Sequence, residues 1–329
     1  MDKKLILDVG NIEYKSKKSE TKTSFEDLKK DLELLPKILM LFECINIQSL
    51  KIDDNEFKII LNEQDLYLDN KFVNLSSKVD ITANQILFDM QSLYLKDYEI
   101  LFNGKIKIDY FNNNLNYFGN FYYQDLEAKL NVDMTEDLAK FYIVSSPFKS
   151  LKFIKKFLDL PKEAEEWMYD NVEGDIKLEG LYAEYDLKNN QLVEKSLNGK
   201  AQIKEAKIRF HKDVDVIQTK NLDITFKDDN LHFDLVEPIF KGKSLAGSFV
   251  TIHNLASAQN GEVEVHIEAN SKLDKDILDI LKAYKINLPL LQKSGNTNAK
   301  LTLIFPYELE KPMTTKGEFL VSDALISIG

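Results

Sequence analysis

Apolar residues recur at every second position along much of this chain, and that feature limits the fold more than any other. A period of two sends alternate side chains to opposite faces of an extended strand, so each such stretch has one oily and one polar side. The pattern runs through Ile45 and Ile47, changes parity to Leu50 and Ile52, and continues at Phe57, Ile59 and Leu61. It returns at Ile86, Phe88 and Met90, at Tyr98, Ile100 and Phe102, at Ile106, Ile108 and Tyr110, and at Leu126, Ala128, Leu130 and Val132. Later stretches are Leu222, Ile224 and Phe226, then Leu231, Phe233 and Leu235, then Val263, Val265, Ile267 and Ala269. Turn-forming runs such as Asn112-Asn113-Asn114 and Asp228-Asp229-Asn230 join several of them. About fifteen strands are expected by this count, mostly antiparallel to their neighbours in sequence.

Helical periodicity interrupts the alternation three times. Ser24, with Asp27 three residues on, starts a run through Leu28, Leu32, Leu35, Ile38 and Leu39 that Pro36 divides. Thr135 before Glu136-Asp137 is read as the cap of a second helical region reaching about Asn171, broken near Pro147 and at Leu160-Pro161. A third begins near Asp274 and reaches Leu291, broken at Leu288-Pro289. Each precedes a block of strands, which suggests a repeating unit of helix followed by meander.

An internal match supports the repeat. Gly199 and Gly317, 118 residues apart, each open a strand-like stretch. In the first, the apolar parity falls on Ala201 and Ile203, then jumps to Ala206, Ile208 and Phe210. In the second it falls on Phe319 and Val321, then jumps to Ala324, Ile326 and Ile328. The step from Ile47 to Leu50 has the same spacing. A shared change of parity places a bulge at one point of every unit, which hydrophobicity alone would not. Units are therefore drawn at residues 1–133, 134–270 and 271–329, the last cut short by the end of the sequence. The alternating end from Ala324 to Gly329 reads as a strand, so a fragment of a longer protein is expected.

A sheet with one apolar face must cover it with another sheet, with helices, with itself, or with a ligand. The helical segments are suited to capping such a sheet, which leaves a self-packed sandwich or a curled sheet with an open channel. Periodicity does not choose between these.

Resemblance to a family does. The stretch Gly-x-Ala-x-Ile-x-x-Ala-x-Ile-x-Phe from Gly199 to Phe210, its partner from Gly317, and the short Leu-Pro-containing helices resemble the AsmA-like superfamily, which includes AsmA, TamB and YhdP. Leu160-Pro161-Lys162-Glu163-Ala164-Glu165-Glu166-Trp167, running through Gly174 into Ile176-Lys177-Leu178-Glu179-Gly180, resembles the YhdP branch most. Gly295 to Phe305, then Pro306-Tyr307-Glu308-Leu309, is similar to a segment of AsmA-like C-terminal regions. The resemblance covers about residues 150 to 329. It implies a mostly β fold, a repetitive antiparallel meander forming a long curled, groove-shaped sheet with a few short capping helices. It further implies a periplasmic location, an inner-membrane anchor through a transmembrane helix absent from this sequence, and conduction of phospholipid between inner and outer membranes. An alternative from the same resemblance is a scaffold or chaperone for outer-membrane protein assembly.

Phospholipid acyl chains are then the expected partner, and the apolar parity supplies their lining: Ile45, Ile47, Leu50, Ile59, Phe88, Ile100, Phe102, Ile108, Ile203, Ile208, Phe210, Leu222, Ile224, Phe226, Phe233, Val265, Ile267 and Ile326. A methylene gains about 0.8 kcal/mol on burial, so roughly ten of them offset most of the loss on leaving a bilayer.

Composition removes other functions. The net charge is −11 and Arg209 is the only arginine, which argues against a nucleic-acid partner, because phosphate-tracking surfaces need a basic stripe and lean on arginine. Cys44, the single cysteine, is expected as a buried, inert thiol in Leu41-Phe42-Glu43-Cys44-Ile45. Of the four histidines, His211, His232 and His253 are spaced by 21, which suits no metal site, and His232 and His266 fall on the polar parity with surface histidines the plain reading. No nucleophile elbow, phosphate loop or paired-cysteine spacing appears, so no cofactor, metal or catalytic activity is expected. Trp167 is read as a helix anchor, and the amphipathic stretch Phe148 to Leu158, with its interleaved lysines, as packing on the sheet edge.

Overall fold

The structure, a computed structural model, describes residues 4–15, 41–82, 84–109, 111–152, 155, 165, 169–193, 195–254, 261–308 and 310–328. It divides into two compact units, one of residues 1–146 with 182–193 and the other of residues 147–181 with 194–329. The first expected helix, Trp167, and most of the segment from Phe153 to Leu160 and Pro161 lie outside the described residues.

In the first unit, β1 (Leu5–Tyr14) runs parallel to β2 (Phe42–Ile52). An antiparallel meander follows through β3 (Asn55–Asn62), β4 (Asp65–Asn70), β5 (Val73–Ile81), β6 (Gln85–Leu95), β7 (Ile100–Asp109), β8 (Asn114–Tyr123), β9 (Leu126–Met134) and β10 (Leu138–Ser145). Several hairpins close through two residues, with Asp53, Glu63 and Gln124 in the left-handed region that such tight turns demand. β11 (Val172–Asp186) gives this unit its last residues, which pair with β12 (Gln191–Leu192).

β10 stands where a helix was expected. The Thr135 hydroxyl closes a hairpin turn instead of capping a helix: it donates to the Leu138 carbonyl and accepts from the Leu138 amide, both at 3.3 Å. The residues that follow, Phe141-Tyr142-Ile143-Val144, are β-branched and aromatic, and they fit a pleated surface better than a helix.

The second unit takes the first part of β11, which pairs with β13 (Asn198–Ile208). The sheet continues through β14 (Ile217–Lys227) and β15 (Asn230–Val236); a small hairpin, β16 (Ile239–Phe240) and β17 (Lys243–Ser244), intervenes before β18 (Phe249–His253) pairs with β15. Next comes β19 (Glu262–Ser271). After it lies helix α1 (Lys275–Ala283), and then β20 (Leu290–Pro306) and β21 (Thr314–Ile328) complete the order. The turn between β14 and β15 is Asp228-Asp229 with both residues at positive φ, the geometry that matches strand twist in a two-residue hairpin.

α1 is shorter than its expected span to Leu291. Asp274 caps it by accepting from the Asp276 and Ile277 amides, and Lys285, at φ +63°, ends it. Beyond that point Leu288 precedes Pro289 and is biased to extended backbone, which feeds directly into β20. The helix buries Ile277, Ile280 and Leu281, and the Tyr284 hydroxyl donates to the Phe210 carbonyl at 2.9 Å. It caps the end of the sheet where β13 finishes and β20 begins.

The parity changes are real features of the backbone. Glu205 in β13 and Asp323 in β21, 118 residues apart, both adopt positive φ, each opposite a positive-φ glycine, Gly174 and Gly295 respectively. A Cβ on Gly295 would lie 2.6 Å from the Ala324 Cα, and one on Gly174 would lie 2.8 Å from the Lys204 carbonyl oxygen, so the close approach requires glycine. Between Ile47 and Leu50 the β2–β3 register shifts, as the spacing predicts.

The expected curl is not found: the sheet is not closed and not strongly curled, so it is not groove-shaped. In neither unit does a described pairing join the last strand of the ladder to the first. The physical reason is the turns. Tight hairpins hold successive strands nearly level, and the few register shifts are single-bulge steps, whereas closing a sheet needs stagger that accumulates from strand to strand.

Candidate functional site

Alternation places the proposed lining residues on one face of each unit, but the two faces differ in cover. In the first unit, Ile45, Ile47 and Leu61 form a small buried cluster with Leu50 and Ile59 packed partly against it. Farther along, Phe88, Ile100, Phe102 and Ile108 share the apolar parity of β6 and β7, and all four are half-buried. Cys44 is half-buried as well, where a sealed thiol was expected.

At the centre of this face Gly104 and Gly119 are direct cross-strand partners, so two adjacent positions carry no side chain. Tyr117 fills the space. Its ring lies over Gly119, and its hydroxyl donates to the Asn103 and Asn120 carbonyls at 2.9 and 3.0 Å. Burial pushes the phenol pKa up to about 12, so it stays protonated and donating. Its polar atom is turned into the backbone and only carbon faces outward, beside Phe102 at 6.1 Å edge-on and Phe121 at 6.0 Å from Phe102. The sequence reading omitted Tyr117 and Phe121, although Leu115, Tyr117, Gly119, Phe121 and Tyr123 keep a period of two once glycine is allowed as a blank on the apolar side.

In the second unit the corresponding positions are sealed. Ile203 faces Leu222, Ile224 faces Phe233, and Val265 and Ile267 face Leu303 and Leu301. Val265 and Leu303 have no exposed surface at all, and Ile203, Ile208, Leu222, Ile224, Phe226, Phe233 and Ile267 are buried. Phe210, just past β13, is half-buried under Tyr284. Ile326 on β21 is 39% exposed, as are its neighbours Leu325 and Ile328 to a greater degree.

The polar face of the second unit holds three of the histidines in ordered pairs. His232 contacts Thr251 and Asp234, His253 contacts Asn230 and Glu264, and His266 contacts Thr302 and Glu268. Phe249 stacks on His266 at 4.7 Å and tilts against His232 at 5.3 Å. These are cross-strand ladders of the solvent face, and no group of three or more His, Cys, Asp or Glu among the described residues could hold a metal ion. No helix among the described residues is long and apolar enough to cross a membrane.

A family model described as YhdP protein matches residues 158–329, just over half of the sequence. The match therefore falls mostly on the sealed unit, with residues 182–193 belonging to the first. No curated protein and no solved structure matches the chain.

Proposed function

Because the chain belongs to the AsmA-like/YhdP family, we propose that its first unit presents an apolar sheet face to phospholipid acyl chains, within an envelope protein that moves phospholipid between inner and outer membranes. One observation carries the reading: the apolar parity that is sealed in the second unit is left half-open around Phe88, Ile100, Phe102 and Ile108 in the first. A face of aliphatic and aromatic carbon, with the Tyr117 phenol turned inward, gains about 0.8 kcal/mol for each methylene laid on it and offers no polar trap to stop a lipid sliding. The protein acts without a catalytic step and sits in the periplasm, tethered to the inner membrane by a helix outside this sequence.

The test is a photoreactive amino acid placed at Phe102 or at Val265 in the purified chain mixed with phospholipid vesicles. Lipid adducts are expected at 102 and none at 265. Absence of adducts at 102, with no phospholipid co-purifying on extraction, removes the proposal.

A second reading draws on β21. Leu320, Leu325 and Ile328 are exposed on this strand, whose described partner is β20 alone. Such a strand can take up a further strand from another protein, which is the contact that a scaffold for outer-membrane protein assembly would use. Crosslinks from position 320 to protein, rather than to lipid, favour it.

A further inference from the structure

The polar face of the first unit carries aromatic residues where the alternation calls for charge. Phe118 on β8 lies opposite Asn131 on β9, which lies opposite Tyr142 on β10. Phe118 is 64% exposed and Tyr142 45% exposed. β11 runs alongside β10, with the Leu187 amide on the Asp137 carbonyl and Lys140 paired to Glu184 at 3.7 Å, and brings Tyr182 to the same place. These residues surround an open depression of about 370 Å³. One register step away runs a second row, Asn116, Asp133 and Lys140, in which the Asn116 amide donates to Asp133 at 3.2 Å.

We propose that this depression is a binding site for a neutral glycan. A pyranose ring has a flat face of C–H bonds and a rim of hydroxyls, so it is recognised by aromatic faces below and by amide and carboxylate groups at the side. Both rows are present here, and they run parallel. Phe118 and Tyr142 are two strands apart, roughly 9.5 Å, which lets each support a different sugar of one chain. The local charge is mixed: Lys140 pairs with Glu184 and Lys105, opposite Phe118, with Asp89, while Lys107 lies opposite Asn116 with Asp133 beyond it, so the site offers no cluster of cations to single out an anionic headgroup or a nucleic acid. Exposed aromatic rings are costly on a solvent face and are a common mark of recognition surfaces. Phe118 and Tyr142 have the opposite parity to Phe102 and Tyr117, although Tyr117 also borders the depression, so the Phe118→Ala and Tyr142→Ala variants separate this site from the lipid reading.

The experiment is calorimetric titration of the full chain with chitotetraose, with the deacylated headgroup of a neutral glycolipid (diglucosylglycerol), and with a proline-rich peptide, which is the other ligand class that favours exposed aromatics. Saturable binding of either sugar is expected, and the arm that binds separates a free polymer glycan from the sugar of a glycolipid. Phe118→Ala and Tyr142→Ala each weaken it about tenfold. Tyr142→Phe, which keeps the ring, and Phe72→Ala, on a distant turn, leave it within about twofold. Far-UV circular dichroism confirms that the exposed substitutions leave the fold intact. No sugar binding, binding of the peptide alone, or sugar binding that ignores both alanine variants overturns the proposal.

Discussion

The two units carry the same alternating code and bury it to different degrees. In the second unit Val265 and Leu303 are fully enclosed and α1 closes the end of the sheet; in the first, Phe88, Ile100, Phe102 and Ile108 stay half-open around a glycine pair that a tyrosine fills. Period two fixes which side chains share a face and says nothing of what lies above them, because burial is a property of the third dimension. The contrast also bears on the family match, which covers residues 158–329 and so falls mostly on the closed unit.

The strongest way to break this contrast is a charge. Val265→Asp places an unpaired carboxylate in a site without solvent, and the expected loss is about 4 kcal/mol or more, enough to unfold the second unit at room temperature. Phe102→Asp, where the side chain reaches water, should cost about 1 to 2 kcal/mol while abolishing lipid adducts. Urea unfolding of both variants gives the answer. Equal losses would mean that the two faces are equally closed. On the same logic, Ile208→Asp and Phe226→Asp report on folding rather than on lipid passage, since both side chains are buried.

A smaller effect tests two crowded glycines, one in each unit. Gly295→Ala introduces a Cβ 2.6 Å from the Ala324 Cα at φ +88°, and Gly119→Ala introduces one 2.6 Å from the Tyr117 hydroxyl. Each should cost about 1 to 3 kcal/mol in thermal unfolding. A stable Gly295→Ala chain would show that the bulge of the second unit relaxes, and the repeat would then lose its structural meaning.

The glycines also explain how much was legible. Parity jumps at Ile47 to Leu50, Ile203 to Ala206 and Val321 to Ala324 were readable because a bulge leaves a gap in the apolar spacing. The strand at Leu138–Ser145 was not, because Thr135 serves equally well as a helix cap and as a turn, and only tertiary pairing with β9 decides. The Gly104 and Gly119 pair, and Tyr117 above it, were hidden for a different reason: their meaning lies in two strands being aligned, which no single stretch reveals. Curl depends on the sum of many registers, so the family resemblance suggested a curl that the turns do not build.

Tyr117→Phe is a finer probe of the first unit. It removes the hydroxyl's shared hydrogen bond to the Asn103 and Asn120 carbonyls and should cost about 1 kcal/mol, with the ring still covering Gly119. Lipid adducts at Phe102 are expected to persist, because the hydroxyl points into the backbone. Their loss would mean that the phenol organises the face rather than merely filling it.

The smallest effect asks whether acid separates the units. Lys243 donates to Asp276 at 2.8 Å and Lys241 at 3.3 Å, and these hydrogen bonds hold the carboxyl below the usual aspartate value, with Asp274 and Asp215 sharing the same lysines. In the first unit Lys96 donates to Asp69 at 2.7 Å and Asn74 assists, with the same direction of shift. A depressed carboxyl contributes stability that is complete above the ordinary pKa, about 3.9, and is lost as pH falls through the lowered one. Both pairs are solvated, so salt and water screen them and the shifts in Tm are modest. Asp276→Asn and Asp69→Asn should each lower Tm at pH 7, and each difference from the parent should vanish toward pH 2. If only the Asp276 difference fades with acid, the first turn of α1 is an electrostatic latch with no counterpart in the first unit; if both fade together, the units differ in apolar cover alone.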